Sequence, residues 1–233
     1  MSGHKKIIVT GAAGTLGQAV AAWFGTQDAR LALVDYSNEL IDAAYPEKRD
    51  RNLYVSCDLT DRTSTSDAMA GIIEKLGGID ILCNIAGGFA MGDAVHEISD
   101  ETWDFLFNLN ARSILNTAAA IVPTMLSAGH GKIVNVAARA GREGLALMGA
   151  YTASKSAVLR LTESMGAELR DRNINVNCVM PSLIDTPRNR EDMPSADFNK
   201  WVSPADIARV IGFLASDEAR CIHGAGIPVD GLS

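Results

Sequence analysis

Cysteine, proline, aromatic residues and basic charge are all in short supply in this chain of 233 residues. The four cysteines (Cys57, Cys83, Cys178 and Cys221) stand far apart with no C-x-x-C pair, and the four histidines are equally scattered. That spacing offers neither a disulfide framework nor a metal site. Three of the cysteines lie in or beside apolar runs, where a free thiol behaves as a small hydrophobe, and the pattern points to a reducing, cytoplasmic setting. Lysine and arginine number 21 against 28 acidic residues, for a net charge of −7. Without a basic stripe to meet a phosphate backbone, no nucleic-acid partner is expected. Long hydrophobic runs are missing too. The longest uncharged stretch, 113–130, holds Asn116, Thr117, Pro123, Thr124 and Ser127, so it is too short and too polar to span a bilayer, and no membrane partner is expected. A helix packed against the core or a partner subunit accounts for it. The N-terminus lacks the apolar h-region of a signal peptide.

What is present is a 47% hydrophobic, 21% charged composition, too apolar for disorder and long enough for one domain or two small ones. Short β-branched runs read as strands at 6–10, 30–35, 52–56, 79–84, 131–136, 174–180 and 226–229. Their continuous apolar character, rather than alternation, implies burial on both faces and a parallel sheet. Helices are predicted at 16–24, 63–76, 100–127, 151–170 and 203–215, and 185–200 reads as a polar surface loop. Alternating βα units predict a doubly wound α/β fold with its ligand at the carboxyl ends of the strands.

The first βα turn reads Thr10-Gly11-Ala12-Ala13-Gly14-Thr15-Leu16-Gly17. Glycines there permit a tight turn and close approach of a pyrophosphate, and the helix that follows offers free N–H groups and the positive end of its dipole. The second strand ends at Asp35, twenty-four residues after Gly11. A carboxylate there accepts from the adenosine ribose hydroxyls and repels a 2′-phosphate, which favours NAD over NADP; the alternative is a plain cap for the next helix. Tyr151 and Lys155 lie one helical turn apart on one face. An ammonium there is expected to lower the phenol pKa, so that the phenol exchanges a proton with an alcohol or carbonyl oxygen while a nicotinamide carries hydride.

The chain resembles the short-chain dehydrogenase/reductase family along essentially its whole length. The resemblance rests on Thr10-Gly11…Gly17, Asp35, Asp58-Leu59, Asn84-Ile85-Ala86-Gly87, Asn110, Tyr151…Lys155 and Pro181…Thr186. It implies one Rossmann-fold domain over 1–233, with a doubly wound, parallel seven-stranded sheet and a short substrate lid at about 183–201. It also implies roles for individual residues. Tyr151, Lys155 and Asn110 become catalytic, Asn110 holding a water in a proton relay. Gly11, Gly14, Thr15, Leu16, Gly17, Asp35, Asp58, Leu59, Asn84, Ala86, Gly87, Tyr151, Lys155, Pro181 and Thr186 become cofactor-binding. Asp58 would face the adenine, Lys155 the nicotinamide ribose, and Pro181 and Thr186 the nicotinamide.

Two features depart from the family pattern. Gly14 and Thr15 differ from the commoner glycine spacing. Ala138, thirteen residues before Tyr151, stands where the family usually carries a serine that hydrogen-bonds the substrate oxygen. Dihydropteridine reductases of this family also have Ala there. Three explanations stay open: a substrate needing less activation, such as a quinonoid ring; a substitute donor (Arg139, Arg142, Thr152 or a water); or a catalytically weak NAD-binding regulatory or structural subunit. Arg188 and Arg190 in the lid are candidates for an anionic substrate, while 88–91 and 145–148 are expected as apolar walls for a small molecule. The resemblance implies a homotetramer, otherwise a homodimer.

Overall fold

The computed structural model describes residues 4–232, so residues 1–3 and 233 of the expected 1–233 domain lie outside the described residues. Strands β1 (Lys5–Thr10), β2 (Ala29–Asp35), β3 (Leu53–Ser56), β4 (Ile81–Asn84), β5 (Gly131–Val136), β6 (Ile174–Pro181) and β7 (Gly226–Val229) form one seven-stranded sheet in the order β3-β2-β1-β4-β5-β6-β7. Every pairing is parallel. Continuous apolar strands dictate this arrangement, because alternate side chains must be buried under opposite layers. Ile7, Val9, Leu31 and Leu33 pack with Val20 and Phe24 of α1 (Thr15–Gly25). Ile8, Ala32, Val34 and Leu82 face the other way, onto Met69 and Ile72 of α3 (Arg62–Leu76) and Ile121 and Met125 of α5 (Ser113–Ala128). The remaining helices are α2 (Asn38–Ala44), α4 (Asp100–Phe107), α6 (Gly149–Leu169), α7 (Pro187–Asp192) and α8 (Pro204–Leu214). This is the single-domain, doubly wound α/β fold expected from the sequence.

Three local expectations are corrected. The helix predicted over 100–127 is interrupted by a π-turn at Asn108–Arg112, between α4 and α5. The polar stretch 185–200 is not all loop: Thr186 caps α7 by accepting from the Asn189 amide, and Pro187 takes the first helical position, where its missing N–H costs nothing. A further short helix, α2, follows β2, capped by Ser37, which accepts from the Leu40 amide. Among the described residues, no helix is long and apolar enough to cross a membrane.

The chain runs outward from β1 to β3, then crosses back to place β4 on the other side of β1. At such a switch point the loops leaving β1 and β4 diverge and open a crevice at the carboxyl edge of the sheet. Register sets Thr10 level with Asn84, and Asn84 level with Asn135. The turns after these strands therefore emerge side by side.

Candidate active site

The turn after β1 is held by hydrogen bonds at nearly every peptide. Ala12 N donates to Val34 O at 3.1 Å, Gly14 N to Gly11 O at 3.2 Å, and Ala13 N to Asp35 Oδ2 at 2.8 Å. Gly11 has φ +60°, and a Cβ there would lie 2.7 Å from Ala86 Cα; one on Gly17 would lie 2.1 Å from Gly11 O. Glycine at both positions lets three backbones meet, the turn, its helix and the segment after β4. Thr10 Oγ1 fastens that last contact by accepting from Ile85 N at 3.1 Å and Ala86 N at 3.3 Å. Gly14 offers no side chain to cap α1, and no acidic residue sits in the first turn. The amides of Thr15, Leu16 and Gly17 thus lack intrahelical acceptors and suit an anion. Asp35 does not cap α2, which Ser37 does. Its carboxylate accepts from Ala13 N and, at 2.7 Å, from Tyr36 N, and retains lone pairs for further donors. These residues fit a dinucleotide.

On the other side of the crevice Tyr151 and Lys155 open α6. Lys155 is buried, 5% exposed, and donates to Val136 O at 3.0 Å. Asn110, on the π-turn, is equally buried: its Oδ1 accepts from Gly88 N at 2.8 Å, while Nδ2 donates to Gly88 O at 3.1 Å and Ser154 Oγ at 2.9 Å. π-turns recur at functional sites, and this one aims the amide inward. A Cβ on Gly87 would lie 2.9 Å from Asn110 Oδ1 and 3.1 Å from Lys155 Nζ, so the bare glycine leaves room where these groups converge. The Phe89 ring meets that of Tyr151 edge-on, centroids 4.8 Å apart.

One electrostatic expectation is reversed in the free chain. Burial pushes the Tyr151 phenol up to about 12 instead of Lys155 drawing it down, and burial lowers the Lys155 ammonium to about 8, with Cys178 opposing. Dehydration disfavours both charged forms, so at neutral pH the phenol keeps its proton.

The other expected residues lie at strand ends or in the segments that follow them. Asp58 Oδ1 accepts from the amide and hydroxyl of Thr60, a tight turn after β3 beside the buried Leu59. Ala86 is partly exposed and Gly87 exposed where the chain leaves β4, whereas the Asn84 amide lies inside the core, bonded to Asn135 Oδ1 at 2.9 Å. Pro181 ends β6, and Thr186 caps α7. Ala138 is buried two residues beyond the end of β5. Of the substitute donors, Thr152 turns its hydroxyl back onto Gly149 O at 3.2 Å, and Arg139 lies 3.9 Å from Asp230 Oδ1. In the segment expected as a lid, Arg190 is engaged by Asp185 through Nε at 2.6 Å and Nη2 at 2.7 Å and covers the Phe198 ring at 4.7 Å; the Arg188 side chain is 87% exposed. Gly92 N, just past the first expected apolar wall, donates to Leu147 O of the second at 2.8 Å, with Leu147 itself at φ 60°. The sequence carries little sign of the hold that Ser154 has on Asn110 or of the tie from Thr10. Ser154 sits between Tyr151 and Lys155, the one signal that would have pointed to it.

A family model described as short chain dehydrogenase matches residues 5–196, and the chain belongs to that family. It is 32% identical over 240 residues to the 3-oxoacyl-(acyl-carrier-protein) reductase FabG of Thermotoga maritima, covering 97% of this chain and 96% of the relative. The sorbitol dehydrogenase of Cereibacter sphaeroides is 33% identical over 247 residues, with 97% and 96% covered. Among solved structures, that of an NAD+-bound xylitol dehydrogenase superposes with a TM-score of 0.90 at 24% identity, over 98% of each chain. The family and these relatives make the chain a dehydrogenase or reductase.

Proposed function

We propose that the chain is an NAD(H)-dependent oxidoreductase that moves hydride between nicotinamide and a small carbonyl, alcohol, quinonoid or imine substrate, with Tyr151 as its acid and base. The observation that carries the reading is that the buried Lys155 ammonium, one helical turn from Tyr151, and the Asn110 amide converge on the space that a Cβ at Gly87 would fill. A protein that only bound the nucleotide would not need the phenol. Asp35 and the amides of Thr15, Leu16 and Gly17 would hold the adenosine ribose and pyrophosphate. Asp58 and Leu59 would border the adenine, with Ala86, Gly87, Pro181 and Thr186 around the nicotinamide and Lys155 on its ribose. A bound nicotinamide supplies the hydride.

In reduction Tyr151 gives its O–H proton to the substrate oxygen as the carbon gains hydride, and the resulting phenolate is stabilised by the Lys155 ammonium. A phenol with its pKa pushed up to about 12 is in the right protonation state to begin that step. Proton transfer of this kind contributes about 10²–10⁴-fold in rate. Tyr151→Phe is expected to abolish turnover across a carbonyl, quinonoid and imine panel while NADH still binds; surviving turnover would remove Tyr151 from the chemistry.

The reading includes Ala138 at the position where the family usually has serine. With Thr152 turned onto Gly149 O, a substrate that needs little oxygen activation fits best. The same observation favours the second reading, a catalytically weak NAD-binding subunit, and Ala138→Ser separates the two. New activity on simple ketones identifies a missing donor. The proposal extends to a homotetramer, supported by the exposed Trp103, Phe105 and Leu115 on α4 and α5, and to the cytoplasm, supported by four free thiols, three of them buried.

A further inference from the structure

Carbonyl oxygens are the weak point of any backbone turn built to meet an anion, since each one that faces the ligand repels it. In the turn after β1 all four carbonyls from Gly11 to Gly14 already accept hydrogen bonds. Gly11 O accepts from Gly14 N at 3.2 Å, and Gly14 O from Gln18 N at 2.9 Å. Ala13 O accepts from Gln18 Nε2 at 2.7 Å, and Ala12 O from the Tyr45 hydroxyl at 2.7 Å. Three of these donors belong to the turn and its own helix. Tyr45 alone reaches in from elsewhere, just beyond the end of α2. Its ring is half-buried, tilted against Tyr54 with centroids 5.6 Å apart. Burial raises its pKa, so it remains an O–H donor throughout the working pH range.

With Ala12 N donating to Val34 O, the Ala12 residue is gripped at both its polar groups. We propose that Tyr45 is a positioning residue for the cofactor: its hydroxyl turns the Ala12 carbonyl away from the pyrophosphate and holds the turn so that the Thr15–Gly17 amides face the anion. α2 then does two jobs at once. It begins just after Asp35, on the ribose side, and ends on the turn that carries the phosphates. Nothing in the chemistry at Tyr151 depends on Tyr45, so its loss belongs to nucleotide affinity. The inference rests on the NAD(H) reading given above.

Titration of the purified protein with NADH, ADP-ribose and adenosine, followed by fluorescence and calorimetry, tests it. Tyr45→Phe keeps the ring and removes one hydrogen bond, so the Kd of NADH and ADP-ribose is expected to rise roughly threefold to tenfold, while adenosine, which has no phosphate, binds as before. In turnover the loss appears in the KM for NADH, with kcat at saturating NADH retained. Tyr54→Phe is the control: its hydroxyl accepts from Arg49 N at 3.0 Å in the same pocket without touching the turn, and its nucleotide Kd should match wild type. Equal NADH affinity in Tyr45→Phe and wild type would overturn the inference, as would an equal loss for adenosine or for Tyr54→Phe. A wild-type protein that binds neither NADH nor NADPH would instead overturn the NAD(H) reading, and the role of Tyr45 with it.

Discussion

Lys155 carries a conflict between charge and burial. An ammonium that is 5% exposed is disfavoured against the neutral amine, and its pKa falls from 10.5 to about 8. The sign for stability follows from proton counts. Between about pH 8 and 10.5 the unfolded chain keeps a proton that the folded chain has released, so stability rises with pH across that window, and below it the folded state bears the full cost of the buried charge. That cost is on the order of 3 kcal/mol. Lys155→Met should therefore melt above wild type at pH 7, with the gap closing as the pH approaches 10.5. Thermal denaturation at both values checks this; a gap independent of pH would mean the charge is not what burial penalises. Function has the opposite sign, because the proposed roles of Lys155 need its charge. Turnover with NADH should fall as the pH rises through about 8, long before Tyr151 titrates.

The glycine-rich turn and α1 show which parts of a motif are geometric necessity. A Cβ at Gly17 would meet Gly11 O at 2.1 Å, a backbone atom that cannot swing aside, whereas one at Gly14 would meet the same oxygen at an ordinary 3.4 Å. Gly14 also has φ −69° and ψ 159°, open to any residue. Gly17→Ala is expected to cost about 1–3 kcal/mol of overpacking and to abolish NADH binding. Gly14→Ala should leave both within error, as urea unfolding and nucleotide titration would register. The unusual glycine spacing thus costs the turn nothing. Elements of this kind were legible in the sequence because their signals are local: apolar runs for buried strands, Gly and Asp for the turns between them. α2 escaped because only Ile41 of its seven residues is buried, so it has no apolar stripe, just the Ser37 cap. The π-turn at Asn108–Arg112 has no residue code at all. From sequence Arg190 reads as available to a substrate because its partners Asp185 and Phe198 are brought to it only when the segment 185–198 folds.

Across the whole molecule, a line of buried polar side chains ties the layers together, and sequence could not disclose it. Thr117 of α5 donates to Asn84 Oδ1 at 3.0 Å, Asn84 Nδ2 to Asn135 Oδ1 at 2.9 Å, and Asn135 Nδ2 to Thr162 Oγ1 of α6 at 2.9 Å. All four residues are buried. Along the chain Asn84 reads as a cofactor residue and Asn135 as part of a strand, since only the β4–β5 register sets the two side by side. The consequence reaches the site. Asn135 precedes Val136, whose carbonyl holds Lys155, and Thr162 lies on the helix that carries Tyr151, so the line fixes the height of α6 over the sheet. Buried amides are costly to leave unpaired, and removing one strands the other. Asn135→Ala should therefore lose about 1–3 kcal/mol in urea unfolding. The double variant Asn84→Ala/Asn135→Ala should lose less than the sum of the two singles, with a coupling of at least about 0.5 kcal/mol. Strict additivity would mean that the two amides act separately, and that packing alone sets α6 on the sheet.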